Sequence, residues 1–355
     1  MDEAHRLLPF TPPFAFTRFF SPEDTLLCTL AAEAAARRLP AGRARRPRVV
    51  ELTAGSGLVG FSLLADLVDA TLLGVDIDPD APAIATANAR RLGLDPRSEF
   101  RRASIWDADV ARWLRQYEWD LLVCNPPYIP EPPGIPLALE AGSGPDGDRH
   151  LLRVVELVQG PAGTALPAHE ETALALSWCS LSDPGGVVRY AEERGYVLSD
   201  LFVVAIADGE YSGAVYEYLR TLPHAYLASD ARTVRHLAPD GAATFGYLLM
   251  AGAFRARLPD DAPPEGGISV EALCRHFARG GLPALGRYME HATVKARNPR
   301  GRSRAAHVGR LLRGCWVLDR WDELALRVML HGPRTGPRSP APRKSRPRRS
   351  PRRAP

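Results

Sequence analysis

Apolar and polar positions alternate along this chain in two rhythms. Runs with strand-like patterning lie at 48–52, 70–76, 99–103, 119–124, 172–177, 197–206 and 244–255, of which 120–124 reads as a buried strand. Between them, 57–67, 80–92, 107–116, 148–159 and 185–194 carry apolar residues at helical spacing. Strand and helix alternate five times, and two long strands follow. That order predicts an α/β fold with a seven-stranded, mostly parallel sheet closed by an antiparallel edge hairpin, with a further helix near 213–221. Ahead of the series, Ser21-Pro22-Glu23-Asp24 predicts a helix start, with a capping hydroxyl, a proline at the first helical position and two acids at the positive end of the helix dipole.

The texture divides the chain into four parts. Residues 1–45 hold a Phe/Pro-rich segment (Phe10, Phe14, Phe16, Phe19, Phe20) and the first helix. Residues 46–257 form the α/β domain, and 258–331 are expected to be a small helical appendage, with Leu273, Phe277, Leu311, Leu312, Leu318 and Leu326 on its apolar positions. Residues 332–355 are rich in Pro, Arg and Ser without apolar anchors and are predicted to be disordered. The net charge of +4 is unevenly placed, because 334–355 carry nine Arg or Lys and no acid, leaving −5 on the rest. Any attraction for an anionic partner therefore rests on the tail or on local patches.

No apolar run approaches membrane-spanning length, and the start lacks the pattern of a secretory leader. Cys28, Cys124, Cys179, Cys274 and Cys315 are odd in number and scattered, which suits reduced thiols in a cytoplasmic protein and offers no metal-site spacing. Cys274-Arg275-His276 is too short and unpartnered to hold a metal.

Candidate chemistry begins where the first strand ends. Glu51-Leu52-Thr53-Ala54-Gly55-Ser56-Gly57 is a strand end, a turn of small residues and a helix start, which lets backbone approach a ligand at the carboxyl end of the sheet. Twenty-one residues after Gly55, Asp76-Ile77 ends the second strand, with a carboxylate suited to ribose hydroxyls. Asp78, by contrast, reads as a helix cap. After the third strand, Ser104-Ile105-Trp106 offers a hydroxyl and an indole face to an adenine ring, although Trp106 equally suits core packing. Up to this point a dinucleotide and S-adenosylmethionine fit alike.

The fourth strand runs into Asn125-Pro126-Pro127-Tyr128, and this separates them. Two prolines stiffen the loop and remove backbone donors, so its carbonyls have no competing amides. An amide or exocyclic amine nitrogen is a poor nucleophile because its lone pair is delocalised. The Asn125 side-chain oxygen and the Pro126 carbonyl can each accept one N–H and favour a pyramidal nitrogen facing a methyl sulfonium, while Tyr128 offers a flat face to the planar group.

Residues 48–158 resemble the class I methyltransferases, with their Rossmann-like fold, and Asn125 to Tyr128 resembles the motif of the amino-methylating branch. Tyr128-Ile129-Pro130 with the downstream 137–147 stretch is similar to the HemK/PrmC family of protein-glutamine methyltransferases. The resemblance implies S-adenosylmethionine held by the 53–57 turn, Asp76, Ile105 or Trp106, and Asn125. It also implies a glutamine-bearing protein as acceptor. Thr53 stands where that family usually has Gly, and Ser104 where many members have Asp. The family's N-terminal helical substrate domain is reduced here to some 45 residues, with Ser21-Pro22-Glu23-Asp24-Thr25 faintly resembling its Pro-Arg-Pro-Asp/Glu-Thr-Glu segment.

Four readings remain open on the residues: methylation of a protein glutamine, of an exocyclic amine in RNA or DNA, of a small molecule, or a non-catalytic module that binds S-adenosylmethionine. His150 and His169 are placed near the rim of the site. Oligomeric state has no signature in the sequence.

Overall fold

The computed structural model describes residues 15–17, 20–39, 45–158, 172–229, 245–257, 269–297 and 315–318. Expectations about the basic tail, the 258–268 linker and His169 fall outside the described residues.

The chain forms a class I methyltransferase fold around one sheet. Its strands are β1 (Arg48–Leu52), β2 (Thr71–Asp76), β3 (Ser98–Arg102), β4 (Leu121–Cys124), β5 (Ala173–Cys179), β6 (Tyr196–Ala207), β7 (Gly246–Ala256) and β8 (Cys315–Leu318), in the order β3-β2-β1-β4-β5-β7-β6-β8. β1 to β5 are mutually parallel, and β7 runs antiparallel between β5 and β6. The seven expected strands are all present. β8 is an addition within the stretch expected to be helical: it pairs in parallel with β6, so the β6–β7 hairpin lies one strand in from the edge.

Strand alternation divides the core into two layers. Val49, Leu121, Val123, Ala173 and Ala175 point to one face, whereas Val50, Leu52, Leu122, Cys124, Leu174 and Leu176 point to the other. The first face is covered by α1 (Pro22–Ala36), α2 (Leu58–Asp66) and α3 (Ala81–Leu92). The second is covered by α4 (Ala108–Gln116), α5 (Arg149–Leu157), α6 (Pro184–Glu192) and the first part of α9 (Val270–Arg297). Two short helices, α7 (Glu210–Ala214) and α8 (Tyr216–Leu219), stand where one had been expected near 213–221.

α1 begins as its sequence dictates. The Ser21 hydroxyl accepts the Asp24 N–H at 3.3 Å, and Pro22 takes the first helical position. Its Leu/Ala-rich body, including Leu27, Ala31 and Ala35, packs against β5, β7 and α2. Each buried leucine contributes roughly 1.5–3 kcal/mol. α9 is interrupted at Gly280 and Gly281, the latter with φ 58°, ahead of Pro283. Leu273, Phe277 and Leu285 on either side of the break are fully buried in the second core layer.

Strand order reverses at β1, which has β2 on one side and β4 on the other. The crevice at the carboxyl ends of β1 and β4 is where open α/β sheets take ligands. Both candidate loops emerge there.

Candidate active site

The turn after β1 is a run of left-handed backbone, with φ of 55° at Thr53, 51° at Gly55 and 79° at Gly57. Glycine adopts this region freely. Thr53 is β-branched, the one non-glycine with positive φ among the described residues, and its conformation costs about 1–2 kcal/mol. The Thr53 hydroxyl donates to the Leu52 carbonyl at 2.5 Å and lies 3.5 Å from the Cys124 sulfur, tying the end of β1 to the end of β4. The Ala54 N–H donates to the Val75 carbonyl at 3.0 Å and the Gly55 N–H to Asp76 Oδ2 at 2.7 Å, so the turn is sewn onto β2. A Cβ on Gly57 would lie 2.8 Å from the Phe61 ring, which excludes any larger residue there.

Glu51 does not reach the surface of this turn. It is 4% exposed and accepts the Gly60 N–H at 3.0 Å, and burial pushes its carboxyl up to about 8. It is therefore neutral at pH 7 and clamps α2 to β1 from beneath.

Asp76 spends one oxygen on Gly55 and the other on the Asp78 N–H at 2.9 Å, and burial raises its pKa. A carboxylate has about four lone-pair sites, so two remain for a ligand. The next residue, Ile77, is a large apolar side chain left 43% exposed. Asp78 is not the cap of α3: its carboxylate accepts the N–H of Asp80, and Asp80 holds the cap position.

Ser104, Ile105 and Trp106 are brought to the same end of the sheet with unequal freedom. The Ser104 hydroxyl accepts the Trp106 N–H at 3.2 Å, and its own N–H donates to Asp107 at 2.8 Å. Ile105 is buried, with its carbonyl held by Arg153 at 3.1 Å. Trp106 is 42% exposed, which removes the core-packing alternative, and its ring lies under the Arg149 guanidinium at 4.6 Å and edge-on to His150. Of the three, Trp106 lines a 360 Å³ cavity, together with Ser143, Asp146, Asp148 and Arg149. His150, expected near the rim, is bonded to the Ser143 hydroxyl at 2.8 Å, and its pKa is lowered by burial and by Arg149.

The loop after β4 is held by groups distant in sequence. The Ile129 N–H donates to the Ala141 carbonyl at 2.9 Å and the Ser143 N–H returns to the Ile129 carbonyl at 3.0 Å, a one-residue parallel bridge. Glu131 accepts the Leu137 and Gly144 N–H groups at 3.1 and 2.7 Å, closing 131–144 on itself. Gly147 has φ 74°, and a Cβ there would lie 2.6 Å from the Tyr128 carbonyl oxygen, so the loop and the start of α5 approach as only glycine permits. Within this frame Pro126 is buried and the Tyr128 ring packs on the first core layer. Asn125 Oδ1 is buried and has no hydrogen-bond partner among the described residues. A buried acceptor left unpaired costs about 1–3 kcal/mol.

Two contacts were missed in the sequence. Asn88, fully buried on α3, pairs both ways with the backbone of Ala15 at 3.0 and 2.8 Å, and the Thr17 N–H donates to the Ser56 hydroxyl at 3.0 Å. The N-terminal segment thus crosses the turn after β1. The second contact joins the hydroxyl of Tyr128 to the carboxylate of Asp24 on α1. The only advance signals were a polar Asn among alanines in α3 and an acid in the first turn of α1. Cys124 and Cys179, both with thiols pushed up to about 12 by burial, stay protonated and are unsuited to nucleophilic work. No group of metal-ligating side chains occurs among the described residues, and no helix among them is long and apolar enough to cross a membrane.

Comparison with known proteins agrees with this geometry. Residues 30–131 match the methyltransferase small domain. The release factor glutamine methyltransferase of Rhodospirillum rubrum is 36% identical over 155 residues, 40% of this chain and 46% of that protein. That of Moorella thermoacetica is 38% identical over 115 residues, 29% of this chain and 39% of that protein. The chain thus spans less than half the length of these curated relatives. Among solved structures, the precorrin-6y C5,15-methyltransferase of Geobacter metallireducens has a TM-score of 0.37 at 11% identity, over 68% of this chain and 93% of that one. These sequence matches make this chain, over part of its length, a relative of the HemK/PrmC release factor glutamine methyltransferases.

Proposed function

We propose that this protein is an S-adenosylmethionine-dependent N-methyltransferase whose acceptor is a planar amide nitrogen, that of a glutamine side chain in a protein. The observation that carries this reading is the buried, unpartnered Oδ1 of Asn125 at the carboxyl end of β4.

The residues present fit the cofactor. Asp76 keeps acceptor capacity at the end of β2, Ile77 and Trp106 leave apolar surface open beside it, and the 53–57 turn brings backbone to the crevice without bulky side chains. In this reading Thr53, Ala54, Gly55, Ser56, Gly57, Asp76, Ile77, Ser104, Ile105, Trp106 and Asn125 surround the cofactor, and Glu51 acts from below through Gly60. When bound, S-adenosylmethionine supplies an electrophilic methyl group on a sulfonium.

The chain's own part is to prepare the nitrogen. Asn125 Oδ1 accepts one N–H of the acceptor amide and the Pro126 carbonyl accepts the other, which favours a pyramidal nitrogen over the planar conjugated one. Neither Pro126 nor Pro127 has an N–H to compete. Tyr128 borders the acceptor with its ring, and its hydroxyl is already bonded inward, away from the proton transfers. The surplus proton passes to solvent, so no side chain must act as a strong base.

The deciding experiment is transfer of labelled methyl from S-adenosylmethionine into a cell extract separated into protein, nucleic acid and small-molecule fractions. Label in protein, lost on glutaminase-type hydrolysis of the side-chain amide, is the expected result. Label in nucleic acid would replace the acceptor with an exocyclic base amine and give the basic tail a role on phosphates. Failure to bind S-adenosylmethionine would end every enzymatic reading.

A further inference from the structure

We infer that Asp24 is a positioning residue for the reaction loop: its carboxylate, on α1, holds the Tyr128 hydroxyl and through it sets where Asn125 points. This rests on the function proposed above, and it adds α1 to the reaction centre.

The two side chains lie 104 residues apart in sequence and meet in the interior. Asp24 is 6% exposed, and no Lys, Arg or His among the described residues forms an ion pair with it. Burying a carboxylate without a cation is costly, and desolvation followed by the neighbouring Glu23 raises its pKa to about 6, against which stand the hydroxyls of Ser21 and Tyr128 and its own backbone N–H. Helix α1 does not need the acid for its own fold, because the cap is already made by the Ser21 hydroxyl and the Asp24 backbone N–H. Its body is held by leucines and alanines. What the carboxylate secures is Tyr128.

Holding Tyr128 matters because of what lies before it. Asn125 is separated from it by two prolines, whose fixed φ makes 125–128 a stiff rod. Downstream, Ile129 is pinned by the bridge to Gly142. The rod therefore has an anchor at its far end in Ile129 and one at Tyr128. Releasing Tyr128 frees the Asn125 side chain to turn toward another donor and lose its readiness for an acceptor N–H. A misplacement of about 1 Å is enough to cost on the order of tenfold or more in turnover.

The test is a double-mutant cycle of Asp24→Ala and Tyr128→Phe, with Asp24→Asn as the conservative variant that keeps an acceptor oxygen. Each single variant is expected to lose ~10-fold in kcat for a glutamine peptide, with cofactor KM within ~2-fold, and the double variant to lose no more than either alone. Asp24→Asn should recover most of the loss. Hydrogen exchange of the Ile129, Glu131 and Ser143 amides, read without cofactor or acceptor, should speed ~10-fold in Asp24→Ala and Tyr128→Phe while amides of β1 stay unchanged. Losses that multiply to ~100-fold, or exchange that rises evenly across the sheet, would overturn the inference by showing independent or merely structural roles. Because exchange needs no substrate, it decides the matter even if the parent protein fails to methylate glutamine, an outcome that would count against the proposed acceptor alone.

Discussion

The loops that follow β1 and β4 sit side by side, joined by the Thr53–Cys124 contact, yet they are built on opposite plans. The first is closed by its own backbone: Ala54, Gly55 and Gly57 all place their N–H groups on neighbours within the turn or on β2. It accepts strain at Thr53 to do so. The second makes few bonds of its own across 125–128 and is held by side chains from afar, Asp24 on α1 and the Glu131 bracket. In the proposed function, one loop is a fixed seat for the cofactor and the other presents an acceptor that is unsatisfied among the described residues. A seat for an invariant ligand can be made from backbone, whereas a group that must receive a new partner in each cycle has to stay unpaired and still not move.

Substitutions can break this contrast in graded ways. Asn125→Ala should lower kcat by ~10²–10³-fold while S-adenosylmethionine affinity stays within ~10-fold, because only the presented group is lost. Thermal unfolding should show no loss of stability, since an orphaned acceptor disappears with it. Retained turnover would mean that the unpaired oxygen has no catalytic use.

Glu51 tests the seat through pH. Its folded pKa of about 8 lies above the unfolded value of 4.5, so the protonated folded form is favoured and that stability is complete below pH 4.5 and lost as pH rises through 8. Glu51→Gln, which keeps an acceptor for the Gly60 N–H, should match the parent near pH 4 and exceed it by on the order of 5 kcal/mol above pH 8. Urea unfolding across that range measures the gap, and a constant difference would show that Glu51 does not titrate where its burial implies.

Asp76→Ala removes the acceptor of the Gly55 N–H together with the proposed ribose contact. Calorimetric titration should show S-adenosylmethionine binding weakened by ~50-fold with kcat at saturation little changed, the reverse of Asn125→Ala. The smallest effect is expected at Thr53. Thr53→Gly relieves the left-handed strain but loosens the unfolded chain and loses the hydroxyl's bonds, for a net gain of about 0.5 kcal/mol in unfolding free energy. A loss above about 1 kcal/mol would show that the contact to Cys124 outweighs the strain.

What could be read in the sequence follows the same division. The strands of the sheet, the helix start at Ser21, the turn of small residues and the Asn-Pro-Pro-Tyr loop are written in adjacent residues, where periodicity, capping and proline chemistry act locally. The brace at Asp24 and the pairing of Asn88 with Ala15 join residues 104 and 73 apart, and no local rule announces them. Thr53 showed itself as a departure from a glycine position, but only backbone angles reveal it as strained. β8 was hidden because Cys-Trp-Val-Leu is four residues long and apolar, a length at which helical and strand patterns look alike.

That short strand covers part of the sheet's edge beside β6. β6 is twelve residues long, and β8 takes up the hydrogen-bonding side of Leu201 to Val204 that β7 leaves free. An uncovered edge of this kind is a template for adding strands from other molecules. A chain ending before Cys315 should therefore be prone to self-association at that edge, visible as higher-order species in light scattering, even with the seat and the presented group intact.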